Sequence, residues 1–248
     1  MLGAGTDVEP TVPLVRLIRM THIYLAPLAA LFLVAAVGIA AAQAPAPPEG
    51  YKLDPEFTET SPDRAITIEQ YARMDKERGY LWHFWVRRGD KAALLEAEPA
   101  DYPAGFRFTT DSRWLVRTQK TGAGYADLYL YRLGPDGFVA ATEKPLSELA
   151  WNYFNGRPEA RKIIKPDYHI SAGLVKGVDD NYRWMGVKWP GNRYLVISLW
   201  GEADSNEQHR QLSTVRGWRC RYDLATSRFD VPASFARYNA KAIAPERK

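Results

Sequence analysis

The sequence predicts a mainly β protein: two related four-stranded antiparallel meanders, packed as a sandwich or opened as a half-propeller, with short peripheral helices. Three observations lead there. Residues 106–139 alternate, with Trp114, Val116 and Thr118, and again Leu128, Leu130 and Arg132, set against Tyr129 and Tyr131. That is the period of two of a strand showing one face to a core. The breaks are turn chemistry, Thr110-Asp111-Ser112, Thr121-Gly122-Ala123-Gly124 and Gly134-Pro135-Asp136-Gly137, where Gly supplies positive φ and Pro presets a turn. Aromatic residues make up 12%, with 8 Trp and 14 Tyr, and flat rings suit a half-buried pleated face.

Residues 105–141 thus read as one meander. A second, over 181–232, repeats its organisation, with strands expected at 182–188, 193–200, 218–224 and 228–231 and turns at Pro190-Gly191-Asn192 and 225–227. Arg113-Trp114-Leu115-Val116 aligns with Arg193-Tyr194-Leu195-Val196, and Leu128-Tyr129-Leu130-Tyr131 with Arg219-Cys220-Arg221-Tyr222, so the two read as a degenerate internal repeat. Ahead of them, residues 80–86 and 92–96 form a hairpin around Arg88-Gly89-Asp90, a tripeptide read as a turn rather than an adhesion motif.

Helices are expected in three places. In 67–78, Thr67 with Gln70 fits a capping box, Ile68, Tyr71 and Ala72 form a short stripe, and Gly79 can end the helix. In 146–155, Leu146, Leu149, Ala150, Tyr153 and Phe154 recur at helical spacing before Gly156. A short helix over 233–243 ends the domain. Residues 157–168 read as a polar, basic loop with one further turn after Pro158. Residues 43–60 are Pro-rich and read as a linker, and 61–248 as a single β-rich domain.

Composition narrows the class. A chain of 248 residues, 46% apolar and 25% charged, can bury a sizeable core. The balance of 33 Lys plus Arg against 29 Asp plus Glu is mildly basic, with no basic run beyond Arg87-Arg88, and does not point to nucleic acid. Arg16 and Arg19 precede an uncharged apolar stretch over 20–48 that ends in small residues and Pro-rich sequence. This order is that of a secretory signal, with cleavage expected after Ala42 and Met20 as an alternative start that would leave 1–19 as an upstream extension. The expected destination is the periplasm or the exterior; an uncleaved segment would instead anchor the chain in a membrane. The single cysteine, Cys220, sits in an alternating run and is expected to be a buried, inert thiol.

Enzyme signatures are mostly missing: no Gly-x-Ser-x-Gly, no P-loop, no His-Glu-x-x-His and no Cys-x-x-Cys. His83, between Trp82 and Phe84, reads as a structural strand residue. Asp167 with His169, and Asp179-Asp180-Asn181, lack the spacing of a calcium or zinc loop. No catalytic residue, metal or cofactor is therefore assigned. Residues 201–216 read as a long polar loop between strands, which suits an alternative pocket built from His169, Asp180, Trp200, Glu202, Asp204 and His209, for hydrolysis or for glycan binding. Trp151, Trp184, Trp189, Trp200 and Trp218 would either stack sugars or fill the core.

Two resemblances add expectations. Asp111-Ser112-Arg113-Trp114-Leu115-Val116 and the phrase from Tyr222 through Phe229 resemble blades of secreted TolB-like β-propellers. Two or three blades cannot close a ring, so the resemblance implies an open arrangement unless copies associate. The loop Thr121-Gly122-Ala123-Gly124-Tyr125 resembles the Ser-Gly-x-x-Tyr loop of bacterial periplasmic lysozyme inhibitors, with Thr121 in place of Ser and Tyr125 matching Tyr. That likeness implies a non-enzymatic exported protein that meets a protein or glycan partner through Lys120, Thr121, Gly122, Gly124 and Tyr125. Two glycines allow close backbone approach, Thr121 offers a hydroxyl, and Tyr125 an apolar ring with a polar tip.

Overall fold

The computed structural model describes residues 46–175, 192–205 and 210–243. It is mainly β, with two sheets of antiparallel strands and two short helices. The first sheet is a meander in chain order, β1 (Lys52–Thr60), β2 (Thr67–Asp75), β3 (Gly79–Arg88) and β4 (Lys91–Leu94). The second holds eight strands: β5 (Ala104–Phe108), β6 (Trp114–Gly122), β7 (Tyr125–Leu133), β8 (Phe138–Ala140), β9 (Tyr168–Leu174), β10 (Tyr194–Ser205), β11 (Arg210–Asp223) and β12 (Arg228–Asp230). Their order is β12-β11-β10-β9-β7-β6-β5, with β8 on β7. Residues 105–141 and the described part of 181–232 thus share one sheet, joined where β7 meets β9 through a parallel bridge, Ala126 to Ser171. Helix α1 (Leu146–Asn155) lies between β8 and β9, and α2 (Ala236–Ala242) follows β12.

Strands β6 and β7 are covered on both faces, and this is why the molecule is arranged around them. Leu115 and Tyr131, with Phe106 and Phe108 of β5, pack against Ile68, Trp82, Phe84 and Val86 of the first sheet. On the other face, Val116, Leu128 and Leu130 join Leu146, Ala150 and Phe154 of α1 and the apolar rows of β10 and β11. Successive side chains of a strand point to opposite faces, so one alternating sequence feeds two cores.

Edges are closed by side-chain amides. The Gln70 amide, in β2, accepts from Ala104 N–H at 3.0 Å and donates to Ala104 C=O at 2.7 Å and Phe57 C=O at 2.9 Å. Asn239 of α2 does the same for Arg219 of β11, accepting its N–H and donating to its C=O, both at 2.8 Å. A primary amide carries the donor and acceptor of one peptide unit, so each stands in for a missing strand residue.

Several expectations are corrected. Residues 67–78 are not a helix: Thr67–Asp75 is a strand, with Ile68 and Gln70 buried, and it pairs with β3 from Thr67–Arg87 to Asp75–Gly79. The Ile68, Tyr71, Ala72 stripe is too short to separate the two periods, and pairing with the strongly β segment 80–86 decided it. The 43–60 linker contains an edge strand, Lys52–Thr60, whose register shifts between Asp54 and Glu59. Pro55 falls in that irregular stretch, where a missing N–H breaks no ladder. Tyr168, placed in a loop, opens β9. The long loop 201–216 is mostly paired backbone, from Gly201–Val215 to Ser205–Arg210, with residues 206–209 outside those described. Helix 146–155, the turn after Pro158 and the terminal helical segment are present as expected. The signal segment, the strand at 182–188, and Trp184 and Trp189 lie outside the described residues. Among those described, no helix is long and apolar enough to cross a membrane.

Cys220 is buried, and burial pushes its thiol up from 9.0 to about 12. The thiolate is the reactive form and burial penalises it. The folded protein is therefore expected to resist iodoacetamide from pH 7 to pH 10, and to label fully in guanidinium. Labelling of the native protein at pH 8 would contradict this packing.

Candidate partner-binding site

The hairpin between β6 and β7 turns on Ala123-Gly124, with Gly122 paired to Tyr125. Gly124 has φ +78, as the third position of a type II turn requires. The register shifts between Lys120 and Gly122, so Thr121 is an extra residue, exposed and unpaired in the ladder. Bulges of this kind redirect side chains and tighten twist. Further register breaks lie across the sheet, at His169 and Ile170 in β9 and at Thr214 and Gly217 in β11.

Tyr125 is half-buried. Its ring meets Tyr168 edge-on at 6.0 Å and His169 at 5.8 Å, and Tyr168 and His169 lie 3.8 Å apart. The imidazole sits over Gly124 so closely that a Cβ there would be 2.4 Å from His169 Cδ2. His169 itself has φ +45, left-handed backbone unusual outside Gly. Its Nδ1 lies 3.0 Å from Glu202 Oε2, which ties the hairpin support to β10. The loop apex, Ala123 and Gly124, stays exposed above this clamp.

The base of the hairpin opens into a groove of about 740 Å³ between the sheet edges, lined by Phe57, Tyr102, Ala104, Arg107, Lys120 and Ala126 among others. Lys120 is exposed with its ammonium 4.7 Å from the centre of the Tyr102 ring, a cation–π contact that keeps the charge at the groove mouth. Gln119 holds this corner by donating to Tyr102 C=O and Lys120 C=O, both at 3.0 Å. At the other end, burial raises the Glu59 carboxyl above its ordinary range, with Arg107 pulling the opposite way.

The two residue sets proposed from sequence therefore touch each other. His169 and Glu202, from the alternative pocket, buttress the loop that carries Lys120 to Tyr125. Trp200 is elsewhere: it is 50% exposed and lies against Gly217 and near Tyr238. Asp204 takes its place in β10, paired with Gln211, and Asp180 and His209 lie outside the described residues. Trp218 is fully buried and Trp151 packs on the α1 core, so these two join no sugar platform. His83 is a core residue against Tyr51, 4.6 Å between rings, with burial lowering its pKa. Tyr168 and Tyr102 were missed. An aromatic residue beside His169 was the available signal, but the contact of Tyr125 with Tyr168, 43 positions on, leaves no local trace. Among the described residues no group of three or more His, Cys, Asp or Glu is placed to hold a metal ion.

No protein-family model matches this chain, and no curated protein matches it. Among solved structures it is similar to the AtxE2 isopeptidase in its apo form, at 10% identity and a TM-score of 0.39. The match covers 75% of this chain and 30% of that one, so the chain spans well under two thirds of the isopeptidase. A likeness this loose carries no functional argument.

Proposed function

We propose that this is an exported, non-enzymatic binding protein whose 120–125 loop enters a concave partner, a lysozyme-type muramidase being the first to try. The observation that carries the reading is the clamped hairpin. Tyr125, Tyr168, His169 and Glu202 hold its base, while Thr121, Ala123 and Gly124 are exposed at its tip. A loop already ordered loses little entropy on binding. The alternative, a hydrolase or glycan-binding protein using residues 201–216, has His169 beside Glu202 as an acid–base pair. A hydrolytic constellation also needs a nucleophile held by its base, and that reading therefore stands second.

Inhibition assays against a panel of lysozymes test this. Ala123→Glu puts a charge at the exposed apex and is expected to abolish inhibition at unchanged melting temperature. Tyr125→Ala is expected to weaken binding by at least about 2 kcal/mol, roughly thirtyfold, and also to lower the melting temperature, since Tyr168 and His169 lose a neighbour. Absence of binding to every muramidase removes the partner. Full inhibition by the Ala123→Glu variant removes the loop.

A further inference from the structure

At the opposite end of the β6–β7 hairpin, roughly 25 Å away at about 3.3 Å per strand residue, lies a second groove of about 970 Å³. Three arginines line it: Arg88 at the end of β3, Arg113 in the turn before β6, and Arg132 of β7. Among the described residues that line it there is no Asp or Glu; Asp90 and Asp136 line the adjoining cavity, which shares Arg88, Leu133 and Pro135. We infer that this groove is a binding site for a multivalent oxyanion, a phosphate ester foremost.

The first argument is that three guanidiniums share one groove with no carboxylate among the described residues paired to any of them. Arg78, Arg87, Arg117, Arg157, Arg193 and Arg221 each meet a carboxylate. Among the described residues, Arg88, Arg113 and Arg132 form no ion pair. Gathering three guanidiniums from distant parts of the chain without a counter-charge costs repulsion that a bound anion would relieve. Positioning is the second argument. Arg132 lies over the Trp114 ring, 5.8 Å from its centre, on the paired position across the strands. Arg113 is set by its backbone, donating its N–H to Asp111 Oδ1 at 3.1 Å and accepting from Leu133 N–H at 2.8 Å. Ser227 adds a hydroxyl from the β11–β12 turn. Guanidinium forks match phosphate oxygens two at a time, and three of them suit an anion of more than one charge. The groove is larger than one phosphate, and the half-buried Trp114 face would take the organic part.

Calorimetric titration with sodium tripolyphosphate tests the assignment. The wild type is expected to bind saturably at one to one. Arg113→Gln and Arg132→Gln are each expected to weaken binding roughly tenfold, and the double variant to abolish it. Arg78→Gln, at the other end of β3, should leave it unchanged. Melting temperatures of the two groove variants without ligand should stay level or rise, since repulsion is removed, whereas a structural role would lower them. No saturable binding by the wild type, or an equal loss in Arg78→Gln, overturns the proposal. Co-sedimentation with phosphatidylglycerol vesicles, against phosphatidylcholine, separates the sources: binding lost in the double variant assigns a lipid headgroup, and no vesicle binding beside tripolyphosphate binding assigns a soluble ester.

Discussion

Replacing Glu96 with Gln is expected to destabilise the protein by about 3 kcal/mol, toward the lower end of what breaking a buried ion pair costs. Its partner Arg117 is 3% exposed, and Arg117 Nη1 lies 2.7 Å from Glu96 Oε2. The guanidinium is held between the Tyr129 ring at 4.1 Å and the Phe84 ring at 5.2 Å, where the two sheets meet, and its Nε has no hydrogen-bond partner among the described residues. Glu96 is the carboxylate that compensates this charge, and it also accepts from the Tyr131 hydroxyl. Because the Glu96 side chain keeps 33% of its surface in water, screening trims the loss. Arg117→Met is expected to cost less, about 1 to 2 kcal/mol, since the charge leaves along with its desolvation and an apolar chain of similar length fills the slot. The double variant should then resemble Arg117→Met alone, which urea unfolding of all three would show. If Glu96→Gln proves the milder single change, the Arg117 charge is not stabilised by this pair.

Gln70→Leu is expected to cost about 3 to 5 kcal/mol, because two buried backbone groups and one part-buried carbonyl lose their hydrogen bonds and each buried orphan costs about 1 to 3 kcal/mol. Those partners are Ala104 N–H, Ala104 C=O and Phe57 C=O. Leucine keeps the volume but offers neither donor nor acceptor. Hydrogen exchange is the direct readout: the Ala104 amide should lose protection while amides in the β10–β11 ladder keep theirs. Since Ala104 and Phe57 line the groove beside the 120–125 loop, the variant should also weaken any partner that uses that groove. Retained protection at Ala104 would mean that the amide does not hold this edge.

The strands from 104 to 140 were readable because each signal there is local. Alternation over Trp114 to Thr118, and Gly at 124 and 137 with positive φ, act within a few residues, and here the distant partners agree with them. The 146–155 helix was equally legible from its apolar stripe. Residues 67–78 were not, since the stripe of Ile68, Tyr71 and Ala72 is too short to exclude a helix and only pairing with β3 decides for a strand. The outer part of the β10–β11 ribbon, within residues 201–216, read as a loop because it carries polar sequence, and only its cross-strand ladder reveals it.

Composition and local periodicity by themselves determined the β class, the turns, including the glycine-rich loop between β6 and β7, the α1 helix and the inert character of Cys220. The tertiary structure alone decided that His169 and Glu202 brace that loop, that Gln70 and Asn239 close strand edges, and that Arg88, Arg113 and Arg132 share a groove. The reason is physical: a turn or an alternating strand is specified by neighbours along the chain. A side-chain amide completing a ladder 34 residues away, or three like charges gathered from two strands and a turn, exists only once the sheets have packed.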